Sequence, residues 1–105
     1  MTTWTELTED ERAFLQALVA MVKEDIAGSD RFEAEQDPEA FTRNLLLEGF
    51  PLREEASLDR IADRAGVDRE AVFAELLDDG AVERVDQGEK LFLRIDATLV
   101  DEHLL

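Results

Sequence analysis

Cysteine is absent from this sequence, which removes disulfide frameworks, thiolate nucleophiles and Cys-ligated zinc at once. Histidine is nearly absent: His103 stands alone near the C-terminal end, giving a zinc site or a Ser-His-Asp triad no basis. No apolar run approaches the roughly 20 residues of a membrane helix, and the start MTTWTELTEDE lacks the basic head and apolar stretch of a signal peptide. We therefore expect a soluble, cytoplasmic protein without metal, cofactor or membrane. Glycine is scarce and forms no phosphate loop, since Gly66 reads as a turn and Gly88 as a hairpin loop. Carboxylates abound, but a general acid needs a pocket that raises its pKa, and runs such as DRE, LLDDG and REE look like exposed helix ends. EF-hand spacing is missing as well. No enzyme is expected.

Positive charge is the other shortage: 11 bases face 27 acids, for a net charge of −16. Residues 1–56 hold 14 acids and 5 bases, residues 57–95 hold 10 and 6, and residues 96–105 hold 3 and 0, so the acidity is spread and is no tail. With 45% hydrophobic residues in clear periodic patterns, the chain folds despite it. Its 105 residues suit one compact domain. Lys23 and Lys90 are the only lysines against nine arginines. That bias, with the acidic excess, resembles proteins of extreme halophiles, whose self-repulsion molar salt screens to a Debye length of about 3 Å. An acidic protein with basic partners is the other reading of the same composition.

Thr8 followed by Glu9, Asp10 and Glu11 has the form of a capping box. From it an amphipathic helix runs over 9–27, with Phe14, Ala17, Leu18, Met21 and Val22 on a stripe widened by Leu15, Val19 and Ile26, and Gly28 as stop. That stripe either covers the core or forms a dimer or partner interface. Residues 29–36 read as a connector pinned by Phe32. Asp37 and Pro38 begin a second helix carrying Phe41, Leu45, Leu46 and Leu47 to Gly49, with Pro51 against continuation. Ser57 caps a third, with Leu58, Ile61, Ala62 and Ala65 on one face, and Gly66 permits the turn into Val67. Asp68 caps a fourth, buried through Val72, Phe73, Leu76 and Leu77 and ended by Gly80. The period then becomes alternating: AVERV and LFLRI flank DQGEK, so 82–95 reads as an antiparallel hairpin with Leu91, Leu93 and Ile95 inward. In the tail, Asp96 is a possible cap for a short closing helix with Leu99, Val100 and Leu104.

Helix 38–49, helix 58–65, turn Gly66-Val67, helix 69–79 and hairpin 82–95 follow the order of a winged helix-turn-helix domain. The resemblance covers roughly 38–95. Its specific parts are IADRAGV, with small Ala62 where two helices cross and Gly66 at the turn, and LLDDGAVERV, which looks like the leucine-glycine-hydrophobic-Glu-Arg passage into a wing. We expect a mainly α fold with a small β-hairpin (α+β), organised as an N-terminal helix and connector (1–37), a winged helix-turn-helix (38–95) and a tail (96–105) in one compact domain. By the resemblance, 68–79 is the recognition helix, whose first turns enter the major groove in DNA-binding members. The candidate residues there are Arg69, Glu70, Phe73 and Ala74, with phosphate contacts from Arg60, Arg64, Arg84, Lys90 and Arg94.

Two functions follow from the sequence. One is a DNA-binding transcriptional regulator on double-stranded DNA, dimeric through 9–27 and adapted to high salt. The other is a winged-helix protein interaction module without DNA binding, expected because 58–80 carries Asp59, Asp63, Asp68, Glu70, Glu75, Asp78 and Asp79 against only Arg60, Arg64 and Arg69. An outward Phe73 would anchor such a partner. Trp4 either staples the N-terminal end to the core or is itself an anchor.

Overall fold

The first helix starts where Thr8 and Glu11 exchange hydrogen bonds. The Thr8 amide donates to Glu11 Oε1 at 3.2 Å and the Glu11 amide to Thr8 Oγ1 at 3.2 Å, the reciprocal box expected from the sequence. The computed structural model describes residues 3–27, 38–52, 56–87 and 90–104. The stop at Gly28, the connector with Phe32, the cap at Asp37, the loop glycine Gly88 and the side chains of Lys90 and Leu91 lie outside the described residues.

After a single 3₁₀ turn, Trp4–Glu6, come α1 (Glu9–Ala27), α2 (Pro38–Glu48), β1 (Phe50–Leu52), α3 (Ala56–Ala65), α4 (Arg69–Asp78), β2 (Val82–Gln87), β3 (Lys90–Ile95) and α5 (Ala97–Leu99), which widens into a π-type turn, Val100–Leu104. The fold is mainly α with a small antiparallel hairpin. Strands β2 and β3 pair from Val82↔Ile95 to Gln87↔Lys90. The short β1 adds to the free side of β3, giving the order β1-β3-β2. Sequence patterning missed β1, reading Pro51 as a stop. On an edge strand a proline costs little because its missing N–H has no ladder partner to disappoint.

Helix α1 lies across α2, α3 and α4. Its Phe14, Leu15 and Leu18 meet Leu46 of α2, Leu58 and Ile61 of α3, Leu76 of α4, Leu93 of β3 and Leu99 of α5 in one continuous cluster. The apolar stripe of α1 is thus spent on the chain's own core, Met21 remaining half-buried. In α2 the inward residues are Thr42 and Leu46, and Phe41, expected on the buried stripe, is exposed. Helix α3 begins one residue before the expected cap, so Ser57 sits inside its first turn. Asp68 does occupy the cap position of α4, but its carboxylate makes no capping hydrogen bond. Asp96 behaves as expected: its carboxylate accepts from the Thr98 and Leu99 amides at 2.8 and 3.4 Å.

Helices α3 and α4 end alike. At Gly66 the backbone turns left-handed (φ 73°), the Val67 amide reaches back to the Ala62 carbonyl and the Gly66 amide to that of Asp63. This double closure satisfies carbonyls that a helix end otherwise leaves bare, and it aims α4 away from α3. A Cβ at Gly66 would meet nothing within 4 Å. Gly66→Ala is therefore expected to lose about 1 kcal/mol of stability through backbone conformation alone. Urea unfolding of the variant against the wild type measures it.

The two ends of the chain are fastened together. The Trp4 ring stacks on His103 at 5.0 Å and 11°, and the Arg12 guanidinium lies 5.8 Å from the same ring. Arg12 also donates to the Trp4 carbonyl at 3.0 Å and the Thr5 carbonyl at 3.2 Å. Trp4 is a staple, half-buried between elements that are far apart in sequence. Among the described residues no helix is long and apolar enough to cross a membrane.

Candidate recognition surface

One helical period decides what α4 shows to solvent. Val72, Phe73 and Leu76 lie on its inner side and are buried. Phe73 is 7% exposed, its ring 6.3 Å from that of Phe14 and tilted by 46°. The placement of Phe73 among outward candidates is therefore corrected: it is a core residue, and neither a base contact nor a partner anchor. Position 69 is three and four residues before 72 and 73, which brings Arg69 to the edge of the inner side. There its side chain is only 24% exposed, with Nε 3.5 Å from Asp59 Oδ1. What remains outward is Asp68, Glu70, Ala71, Ala74, Glu75, Asp78 and Asp79. Apart from two alanines, this face is entirely acidic.

Of the other four candidate arginines, Arg64 and Arg94 stand beside acids. Arg64 makes a bidentate pair with Glu24 of α1, at 2.6 and 3.0 Å. That hydrogen bond holds the Glu24 carboxyl below its ordinary range and the Arg64 guanidinium above its own. Arg94 donates from Nε to the Leu47 carbonyl at 3.3 Å and stands 3.9 Å from Glu83. Arg60 and Arg84 are exposed. Side chains alternate along a strand, and opposed residues share a face. Since Arg84 opposes Leu93 and Arg94 opposes Glu83, the two arginines leave opposite faces of the hairpin. They do not converge. Patterning also missed a second bidentate pair, between Arg43 of α2 and Asp101 of the C-terminal turn at 2.6 and 3.1 Å, because its members are 58 residues apart. There too the hydrogen bond lowers the carboxyl's pKa and raises the guanidinium's.

Beside Arg94, a cleft of about 330 Å³ opens between the end of α2 and the base of the hairpin, lined by Leu47, Gly80, Glu83, Ile95 and Asp96 among others. It is open and charged, unlike the enclosed, mostly apolar sites that hold small molecules. Comparison with family models, curated proteins and solved structures returned no match.

Proposed function

We propose that this domain is a winged-helix-type recognition module that holds a protein partner of basic character against the outward face of α4, in a high-salt setting. The order α2-β1-α3-α4-β2-β3 and the sheet order β1-β3-β2 support the winged-helix reading. The observation that carries the choice of partner is the face itself: Asp68, Glu70, Glu75, Asp78 and Asp79 around Ala71 and Ala74, with Arg69 turned toward Asp59. In a major groove these carboxylates meet phosphates and base acceptors, and a glutamate has only the cytosine amino group to accept from. Against a lysine- or arginine-bearing surface the same groups are complementary, and the two alanines admit a close backbone approach. The apolar stripe of α1, the alternative surface for a partner or a second copy, is buried in the core.

A DNA-binding regulator is the second reading, favoured by the exposed Arg60 of α3 and Arg84 of β2. It requires Arg64, Arg69 and Arg94 to leave their acids for phosphates. Fluorescence anisotropy on the promoter upstream of the protein's own gene, with scrambled DNA as control and KCl from about 0.3 to 3 M, separates the two. We expect no preference for the promoter at any salt. We also expect Glu70→Arg with Glu75→Arg to weaken a captured partner at least tenfold, since like charges then meet at the interface, and Arg60→Ala with Arg84→Ala to leave it unchanged. Saturable, promoter-preferring binding that the arginine variants weaken would establish the regulator instead.

A further inference from the structure

The sheet stops at β2. In the order β1-β3-β2 this strand pairs with β3 on one side, and among the described residues no strand lies along its other edge. Which backbone groups line that edge follows from the start of the ladder. The Asp96 amide donates to the Ala81 carbonyl at 3.0 Å, and residues bonded inward and outward alternate from there. Glu83, Val85 and Gln87 thus turn their amides and carbonyls to β3, whereas Val82, Arg84 and Asp86 turn theirs to the open edge. Side chains divide by face. Val82, Leu93 and Ile95 are buried against the core, while Val85 and Phe92, opposed across the ladder, share the outer face and are half-buried. An apolar pair therefore reaches an unpaired edge, where association of strands starts.

We propose that two copies of the chain join along this edge, β2 pairing antiparallel with β2 of the second copy about a twofold at Val85, so that the two three-stranded sheets become one. A twofold normal to the sheet keeps the outer faces together, and the residue types choose among the registers it allows. Centred on Glu83 the pairing opposes two glutamates, on Arg84 two arginines and on Asp86 two aspartates, each a destabilising like-charge pair. Centred on Val85 it opposes valine to valine, Arg84 to Asp86 and Glu83 to Gln87. No like charges meet. The backbone agrees with this register, because Arg84 and Asp86 both point their amides and carbonyls outward and can exchange both hydrogen bonds. A row of Phe92, Val85, Val85 and Phe92 then crosses the twofold, and covering it drives the association. The choice uses residue types at opposed positions and does not ask Arg84 to lack contacts within its own chain. Two chains of −16 repel each other, but molar salt screens this to about 3 Å. So short an edge makes a small interface, and the dimer exchanges with the single chain. It does not depend on what the outward face of α4 holds.

The absence of cysteine makes the test direct. Val85→Cys puts a thiol on the twofold, opposed to its own copy in a non-hydrogen-bonded pair with Cα atoms about 4.5 Å apart, within the span of a disulfide. Glu83→Cys puts it on the same face but four residues out of register, about 14 Å from its copy. With diamide as oxidant in about 1 M KCl, Val85→Cys is expected to form covalent dimer at least about tenfold faster than Glu83→Cys. Equal rates, or no covalent dimer from Val85→Cys, would overturn the proposal. Sedimentation equilibrium on the wild type from about 10 µM to about 1 mM should show dimer growing with concentration. Arg84→Asp, which opposes two acids, should raise the dissociation constant at least about tenfold, and Arg84→Asp with Asp86→Arg, which exchanges the charges, should bring it back. A dimer untouched by Arg84→Asp places the interface elsewhere, and a double variant no tighter than the single one rules out the register, so either result refutes the pairing. Far-UV circular dichroism checks that each variant keeps its fold. Should a charge variant fail that check, the cysteine pair decides alone, since both of its positions lie on the outer face.

Discussion

Replacing Phe73 with alanine is expected to cost about 3–5 kcal/mol of folding stability, the range for emptying a large aromatic site in a close-packed core. The ring lies among Val72, Leu76 and Phe14, and the helices around it are pinned by Leu18 and Ile61, both 0–1% exposed, so the surroundings have little freedom to collapse into the gap. Loss of the tilted contact with Phe14 adds to the loss of burial. A domain of this size has about 5–15 kcal/mol in all, so the variant stands close to unfolding at growth temperature. Urea unfolding followed by the fluorescence of Trp4, the single tryptophan, measures the loss. A change below about 1 kcal/mol would mean that Phe73 is not packed inward, and would return it to the list of partner anchors. Glu70→Ala, one turn away on the outer face, should stay within about 0.5 kcal/mol of the wild type. The contrast bears on function: a partner lost on Phe73→Ala reports a lost fold, whereas one lost on Glu70→Arg reports a lost contact.

The helices were legible because their signals are local. Thr8 and Glu11 are three residues apart, Gly66 and Gly80 stand where a left-handed stop is needed, and Asp96 binds amides two and three residues on. Strand β1 was not legible. Its three residues have no periodicity to read, and they are a strand only because β3 offers an edge. Phe41 and Thr42 exchange the roles their hydropathy suggests, the phenylalanine exposed and the threonine buried. For the recognition surface, the acidity of α4 could be read from residue counts, but the disposition of the arginines could not. Arg64 finds Glu24 across 40 residues, and Arg43 finds Asp101 across 58. Composition tallies each of these as a cation available to phosphate, and only the fold reveals which carboxylate already holds it.

Transfer from about 1 M to about 0.1 M KCl is expected to lower the unfolding free energy by roughly 3–5 kcal/mol. The net charge of −16 is carried on a body of 37 × 30 × 25 Å. On a sphere of that size the self-repulsion grows by on the order of 7 kcal/mol as the Debye length lengthens from about 3 to about 10 Å. The unfolded chain, more than twice as wide, relieves all but about a quarter of the same increase, and residual compactness of that state narrows the difference. Exposed pairs such as Arg43–Asp101 strengthen in dilute salt, but they are too well solvated to offset it. Thermal unfolding across a KCl series, with sucrose as the uncharged control, checks the sign. A midpoint that ignores KCl, or falls with it, would remove the high-salt setting and leave the acidic face of α4 to be explained by its partner alone.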